Sequence, residues 1–84
     1  GVNTTQLVTF NVSSAEGQIQ GAKVIIDENN TVYTDANGIA NIILQKGTYS
    51  KVSILKEGYT TQENVSITIS DKPIYKAVTL TKSR

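Results

Sequence analysis

Four tyrosines, Tyr33, Tyr49, Tyr59 and Tyr75, are the side chains of this chain best suited to touching a ligand. An exposed aromatic ring stacks through its face, so it can meet the C–H face of a sugar. Tyr33 and Tyr75 are expected to be exposed and are therefore the contact candidates for a carbohydrate or a surface protein. Tyr49 and Tyr59 follow glycine turns and are expected to cover the ends of the core with their hydroxyls in water. Among the carboxylates, Asp27 and Asp35 with Asn29 offer hard oxygen ligands of the kind calcium takes. Their spacing fits no calcium loop, however, and Asp35 has a turn to hold. The sequence has no histidine and no cysteine. Without histidine a Ser–His–Asp arrangement is impossible, and without cysteine there is neither a thiolate metal site nor a disulfide. No catalytic residue, metal or cofactor is expected. Asn3, Asn11, Asn29 and Asn64 each begin an Asn-X-Ser/Thr triplet, a pattern that a chain rich in Asn, Ser and Thr produces by composition alone.

The elements that would position these residues are strands. At 84 residues the chain is long enough for one small domain, and 38% hydrophobic content suffices for a thin two-layer core. Apolar and polar residues alternate in Gln6–Ser13, in Gly21–Asp27 after Ile19, in Thr31–Thr34, Ile39–Gln45, Tyr49–Lys56, Glu63–Ser70 and Ile74–Thr81. That makes seven short strands, separated by turn residues and with no helical period. It implies an all-β, seven-strand antiparallel sandwich. Residues 6–82 form the domain, with 1–5 as a linker or excision remnant and 83–84 as a tail. The candidate core is Val8, Phe10, Val12, Ala22, Val24, Ile26, Val32, Ala40, Ile42, Leu44, Val52, Ile54, Val65, Ile67, Ile69, Val78 and Leu80.

The turns are legible in more detail. Asp35-Ala36-Asn37-Gly38 fits a three-residue loop, a type I turn followed by a left-handed glycine, with Asp35 accepting hydrogen bonds from the turn's own N–H groups. Read as a hairpin, it puts Val32 opposite Ile42. Gly47 and Gly58 mark two further turns, and the first of these, read as a hairpin, sets Tyr49 opposite Leu44. Counting by twos from Tyr49 reaches Lys51 and Ser53, whereas the apolar residues are Val52 and Ile54. A β-bulge near Ser50-Lys51 would restore the phase.

Five segments in order, Val8–Val12, Ile19–Val24, Thr34–Gly38, Leu44–Tyr49 and Lys56–Tyr59, resemble the carboxypeptidase-regulatory-like modules of secreted and surface bacterial proteins. The resemblance runs from Val8 to Leu80 and implies a transthyretin-like, Ig-like sandwich. That family serves as spacers, stalks, accessory domains and binding modules. A neighbouring family, the collagen-adhesin B-type domains, often carries a Lys–Asn isopeptide bond promoted by a buried acid. Here Val8–Val12 holds no lysine, Ile74–Thr81 no Asn or Asp, and Ser50–Ile54 no acid, so no such cross-link is expected.

The net charge is +1 and the lysines are scattered, which gives no electrostatic basis for nucleic-acid binding. No apolar run approaches the ~18 residues of a membrane helix. The expectation is a non-catalytic structural module, extracellular, at the cell surface or periplasmic, monomeric in isolation. Its partners would be neighbouring domains of its own polypeptide, with carbohydrate or protein binding as the alternative.

Overall fold

The computed structural model describes residues 4–83. It contains eight strands: β1 (Thr5–Ser14), β2 (Gly17–Gln18), β3 (Lys23–Asp27), β4 (Asn30–Tyr33), β5 (Ile39–Gln45), β6 (Gly47–Leu55), β7 (Gln62–Ile69) and β8 (Ile74–Thr79). Seven of these match the expected strands. The eighth, β2, is a two-residue strand formed where a plain turn was expected.

The strands make two facing sheets. In sheet A, β1 is central: β5 and β2 pair antiparallel with it, and β8 pairs with it in parallel. Sheet B is β4-β3-β6-β7, antiparallel throughout. The expected all-β sandwich of antiparallel strands is thus present, and within it the β1–β8 ladder runs parallel. That ladder extends from Val8↔Ile74 to Ser13↔Thr79.

Backbone bonding divides β1 by parity. Val12 N–H donates to Gly38 O at 2.7 Å and Val12 O accepts Ile19 N–H at 3.0 Å, so even residues bond toward β5 and β2. Ser13 O accepts Leu80 N–H at 2.8 Å, so odd residues bond toward β8. Val12 is thus where β1 passes from one antiparallel neighbour to the next along the same edge.

The core forms from the even positions of sheet A and the inward positions of sheet B. Fourteen of the seventeen expected core residues are buried, with Phe10, Ile54 and Leu80 the largest side chains fully enclosed. Val32, Ile42 and Val65 are half-buried and pack against that cluster. Burying a large aliphatic or aromatic side chain stabilises by roughly 1.5–3 kcal/mol, which makes this apolar layer the main source of stability. Ile19 is buried as well, although it precedes β3 outside any alternating run.

Two of the expected hairpins are not hairpins. The loop Asp35–Gly38 carries the chain from β4 in sheet B to β5 in sheet A, and Lys46-Gly47 carries it back to β6 in sheet B. Val32 therefore pairs with Val24, and Ile42 with Val8, rather than with each other. Tyr49 pairs with Ile67 rather than lying opposite Leu44. The residues still face the core because each strand keeps its inward parity after crossing. The expected bulge is present: Tyr49↔Ile67 and Val52↔Val65 leave one extra residue on β6 at Ser50-Lys51. A second irregularity follows between Val52↔Val65 and Ile54↔Gln62, where the extra residue lies on β7 and Asn64 takes a left-handed φ of 58°. The second bulge cancels the slip of the first.

The domain ends reach slightly further than expected. Thr5, assigned to the linker, pairs with Gln45, and Thr4 O accepts Lys46 N–H at 2.9 Å. Ser83, assigned to the tail, donates its N–H to Gly58 O at 2.9 Å. Residues 1–3 and 84, and with them the Asn3 triplet, lie outside the described residues.

Candidate functional site

Tyr33 and Tyr75 are both exposed, at 62% each. They lie on different sheets. Tyr33 is on the outer face of sheet B, paired with Lys23, which pairs in turn with Leu55. An open depression of about 430 Å³ adjoins that row, lined by Lys23, Leu55, Lys56 and Thr61. Tyr75 is on the outer face of sheet A, beside Thr9, whose hydroxyl donates to Asn41 Oδ1 at 2.7 Å. The fold therefore presents two separate single-ring platforms and no shared tyrosine cluster.

The outer face of sheet A carries more apolar surface than the tyrosines alone indicated. Leu7 and Ile43 form a directly opposed pair on that face and are 44% and 65% exposed. Even pairs of this ladder are hydrogen-bonded, so Leu7↔Ile43 is a non-bonded pair, the kind in which side chains come closest. Among the described residues, three of the four exposed large hydrophobics, Leu7, Ile43 and Tyr75, thus share one sheet face. Parity alone could have placed Leu7 and Ile43 outward, since each neighbours an inward residue in its strand.

The remaining candidates hold structure. Asp35 Oδ1 accepts the N–H groups of Asn37 at 2.9 Å and Ile39 at 3.0 Å, and Gly38 N–H closes the turn onto Asp35 O at 2.9 Å. Gly38 has φ 76°, and a Cβ there would lie 2.5 Å from Val12 O, so both the left-handed backbone and the close approach to β1 demand glycine. Gly58 takes φ 88° at the third position of a turn closed by Tyr59 N–H onto Lys56 O, as a type II turn requires. Gly47 stands at the sheet crossing. Asp27 accepts the Asn29 N–H and the Asn30 side-chain amide within the β3–β4 turn. Asp27 and Asp35 are therefore each engaged in their own turn, and no group of three acidic, His or Cys residues converges among the described residues.

Tyr49 and Tyr59 are half-buried against the core. The Tyr49 hydroxyl, at an exposed position, donates to Gln45 O at 2.9 Å. Tyr59 forms a bridge with Lys82 that ties in the segment after β8.

Two polar features were not foreseen. Thr34 is buried at 5%; its hydroxyl donates to Ile19 O at 2.6 Å and accepts Ala22 N–H at 2.8 Å. With Gly21 N–H onto Thr34 O and Thr34 N–H onto Ala22 O, this clasps the β2–β3 connection to the end of β4. Lys46, expected only at a turn tip, donates to Asp71 Oδ1 at 2.5 Å and joins the β5–β6 crossing to the β7–β8 turn. The lysine's hydrogen bond, together with its charge, lowers the Asp71 pKa from its ordinary value of 3.8.

No family model matches the chain, and no curated protein does. Solved structures do. The chain is similar in fold to part of the Bacillus anthracis TIE protein, with a TM-score of 0.66 at 16% identity, covering 94% of this chain and 17% of that one. At that identity the likeness concerns the fold, a β-sandwich. The chain spans about a sixth of the length of the protein it matches.

Proposed function

We propose that this chain is a non-catalytic spacer or presenting module of a larger secreted or cell-surface protein, of the carboxypeptidase-regulatory-like, transthyretin-like kind its residues resemble. The observation that carries this reading is the parallel β1–β8 ladder. Because the first and last strands run the same way, the chain enters at one pole near Thr5 and leaves β8 beside Ser13 at the other. Eight residues of extended strand separate those points by about 26 Å. Modules joined through such ends extend in series instead of folding back. The molecule is itself rod-like, at 49 × 22 × 18 Å, and the similar fold in the TIE protein occupies a small part of a long chain. Two copies joined head to tail should give a maximum dimension in small-angle scattering near twice the 49 Å of one copy. A compact pair with a dimension close to that of one copy would overturn the spacer reading.

The alternative, a carbohydrate- or protein-binding module, draws on the Tyr75–Thr9–Asn41 row beside Leu7. Titration of the labelled domain with soluble oligosaccharides decides it. Saturable amide shifts confined to that row would favour binding over spacing.

A further inference from the structure

β5 is the outer strand of sheet A on the side away from β8. Gly38 O accepts Val12 N–H and Lys46 N–H donates to Thr4 O, so even positions of this strand bond β1. By alternation the N–H and C=O groups of Ile39, Asn41, Ile43 and Gln45 point away from the sheet. The two ends are closed. Ile39 N–H donates to Asp35 Oδ1 and Ile39 O accepts Asp35 N–H. Gln45 O accepts the Tyr49 hydroxyl. Between these caps the backbone groups of Asn41 and Ile43 form an open edge among the described residues.

Natural sheets protect such edges with short strands, bulges, proline or inward charge. The other four outer strands carry these devices, β2 by having only two residues. β4 has only four residues, β7 is broken by the left-handed Asn64, and β8 follows Pro73 and turns Lys76 inward, opposite Phe10. β5 carries none of them. Ile39-Ala40-Asn41-Ile42-Ile43-Leu44-Gln45 has no charge, proline or glycine, and its register with β1 is unbroken over seven pairs. This is the composition of a strand that adds to another strand.

We propose that β5 pairs antiparallel with β5 of a second copy about a two-fold axis through Ile42, joining two A sheets into one. A two-fold interface must be self-complementary, and this edge is. Asn41 facing Ile43 of the second copy, and the reciprocal pair, give four backbone hydrogen bonds. It is the one antiparallel register that pairs the open positions with each other and leaves both capped ends out. Half-buried Ile42 then faces its own copy, and the exposed Ile43 side chains become diagonal neighbours on the outer face. A ladder this short falls in the small, transient class of interface, so a concentration-dependent dimer is expected, a step beyond the monomer that composition suggested.

Sedimentation velocity from about 10 μM to about 1 mM should show the mass rising from 9.1 kDa toward twice that value. Amide shifts should change with concentration at Asn41 and Ile43. A mixed labelled and unlabelled sample should give an isotope-filtered contact between the Ile42 Hα atoms. Ile43→Pro removes an N–H that points away from β1 and should abolish the dimer; Ile43→Lys, with an unaltered backbone, should do the same. A wild-type chain that stays monomeric to 1 mM would overturn the proposal and leave the edge to a strand of another protein. So would association whose amide shifts fall on β7 or β8, or that survives both substitutions.

Discussion

Two residues illustrate how polar side chains act in this small apolar domain. Thr34 is buried and its single hydroxyl serves both a carbonyl and an N–H of the segment ahead of β3. Removing the hydroxyl while keeping the shape leaves Ala22 N–H and Ile19 O without that partner in a dry site, which costs about 1–3 kcal/mol. Thr34→Val should therefore melt roughly 4–24 °C lower at this chain length, and Thr34→Ser should lose clearly less. Equal melting of Thr34→Val and wild type would show that the clasp contributes nothing. Asp71 is the opposite case, a fully exposed carboxylate whose partner sits on another turn. Its folded pKa lies below 3.8 because the Lys46 ammonium favours the charged form. A depressed carboxylate pKa adds stability above the unfolded value and loses it as pH falls through the folded one. The Asp71 carboxyl carbon should thus titrate with a midpoint below 3.8, and Lys46→Met should return it to the ordinary range. An unchanged midpoint in that variant would remove the ion pair from the account.

At the scale of elements, inward parity and turn chemistry were legible, and the partner of each strand was not. Val8, Phe10 and Val12 announce a half-buried strand by alternation, and the phase break between Tyr49 and Val52 announces the β6 bulge. Asp35 and Gly38 announce the loop that joins β4 to β5 down to its hydrogen bonds. None of these says whether the strands on either side pair with each other. A glycine turn reverses the chain equally well within a sheet or between two, and only the packing of both layers decides. That is why two crossings resembled hairpins, and why a parallel first-to-last ladder left no local sign. Thr34 escaped notice because a threonine at a strand end looks like surface, and Ile19 because it belongs to no alternating run. Ile42 and Ile43 are adjacent, and alternation with Ala40 and Leu44 already sets one inward and the other outward; only the register shows that Ile43 lies opposite Leu7. The second bulge was hidden for a related reason: Asn64 compensates a slip on a different strand. Asparagine tolerates the left-handed region and β-branched residues do not. Asn64→Gly should stay within about 0.5 kcal/mol of wild type in urea unfolding, whereas Asn64→Val should lose about 1–2 kcal/mol. If both behave alike, the left-handed turn is not what sets the β6–β7 register.

For the molecule as a whole, the direction of its end strands governs how it bears load. β1 and β8 lie side by side and run the same way over six residue pairs. Force applied to the two termini pulls these neighbours in opposite directions along their length. The hydrogen bonds between them then share the load and must break together. Beyond β8 the chain is held further, since Leu80 N–H bonds Ser13 O, Thr60 N–H bonds Thr81 O and Ser83 N–H bonds Gly58 O. A pull through Thr5 and Lys72 meets a different geometry, because both positions sit at the pole where the ladder begins, and the same bonds are loaded one at a time. Forced unfolding reads the height of the unfolding barrier and not the equilibrium stability, so the two directions separate geometry from stability within one sequence. In single-molecule pulling of a tandem array, rupture through the termini should need several-fold more force than rupture through Thr5 and Lys72. Equal forces in the two directions would mean that the β1–β8 ladder is not the load-bearing element, and the main physical support for a spacer would be gone. A several-fold difference would mean that the pairing least visible in the sequence is the one that suits this domain to connect others.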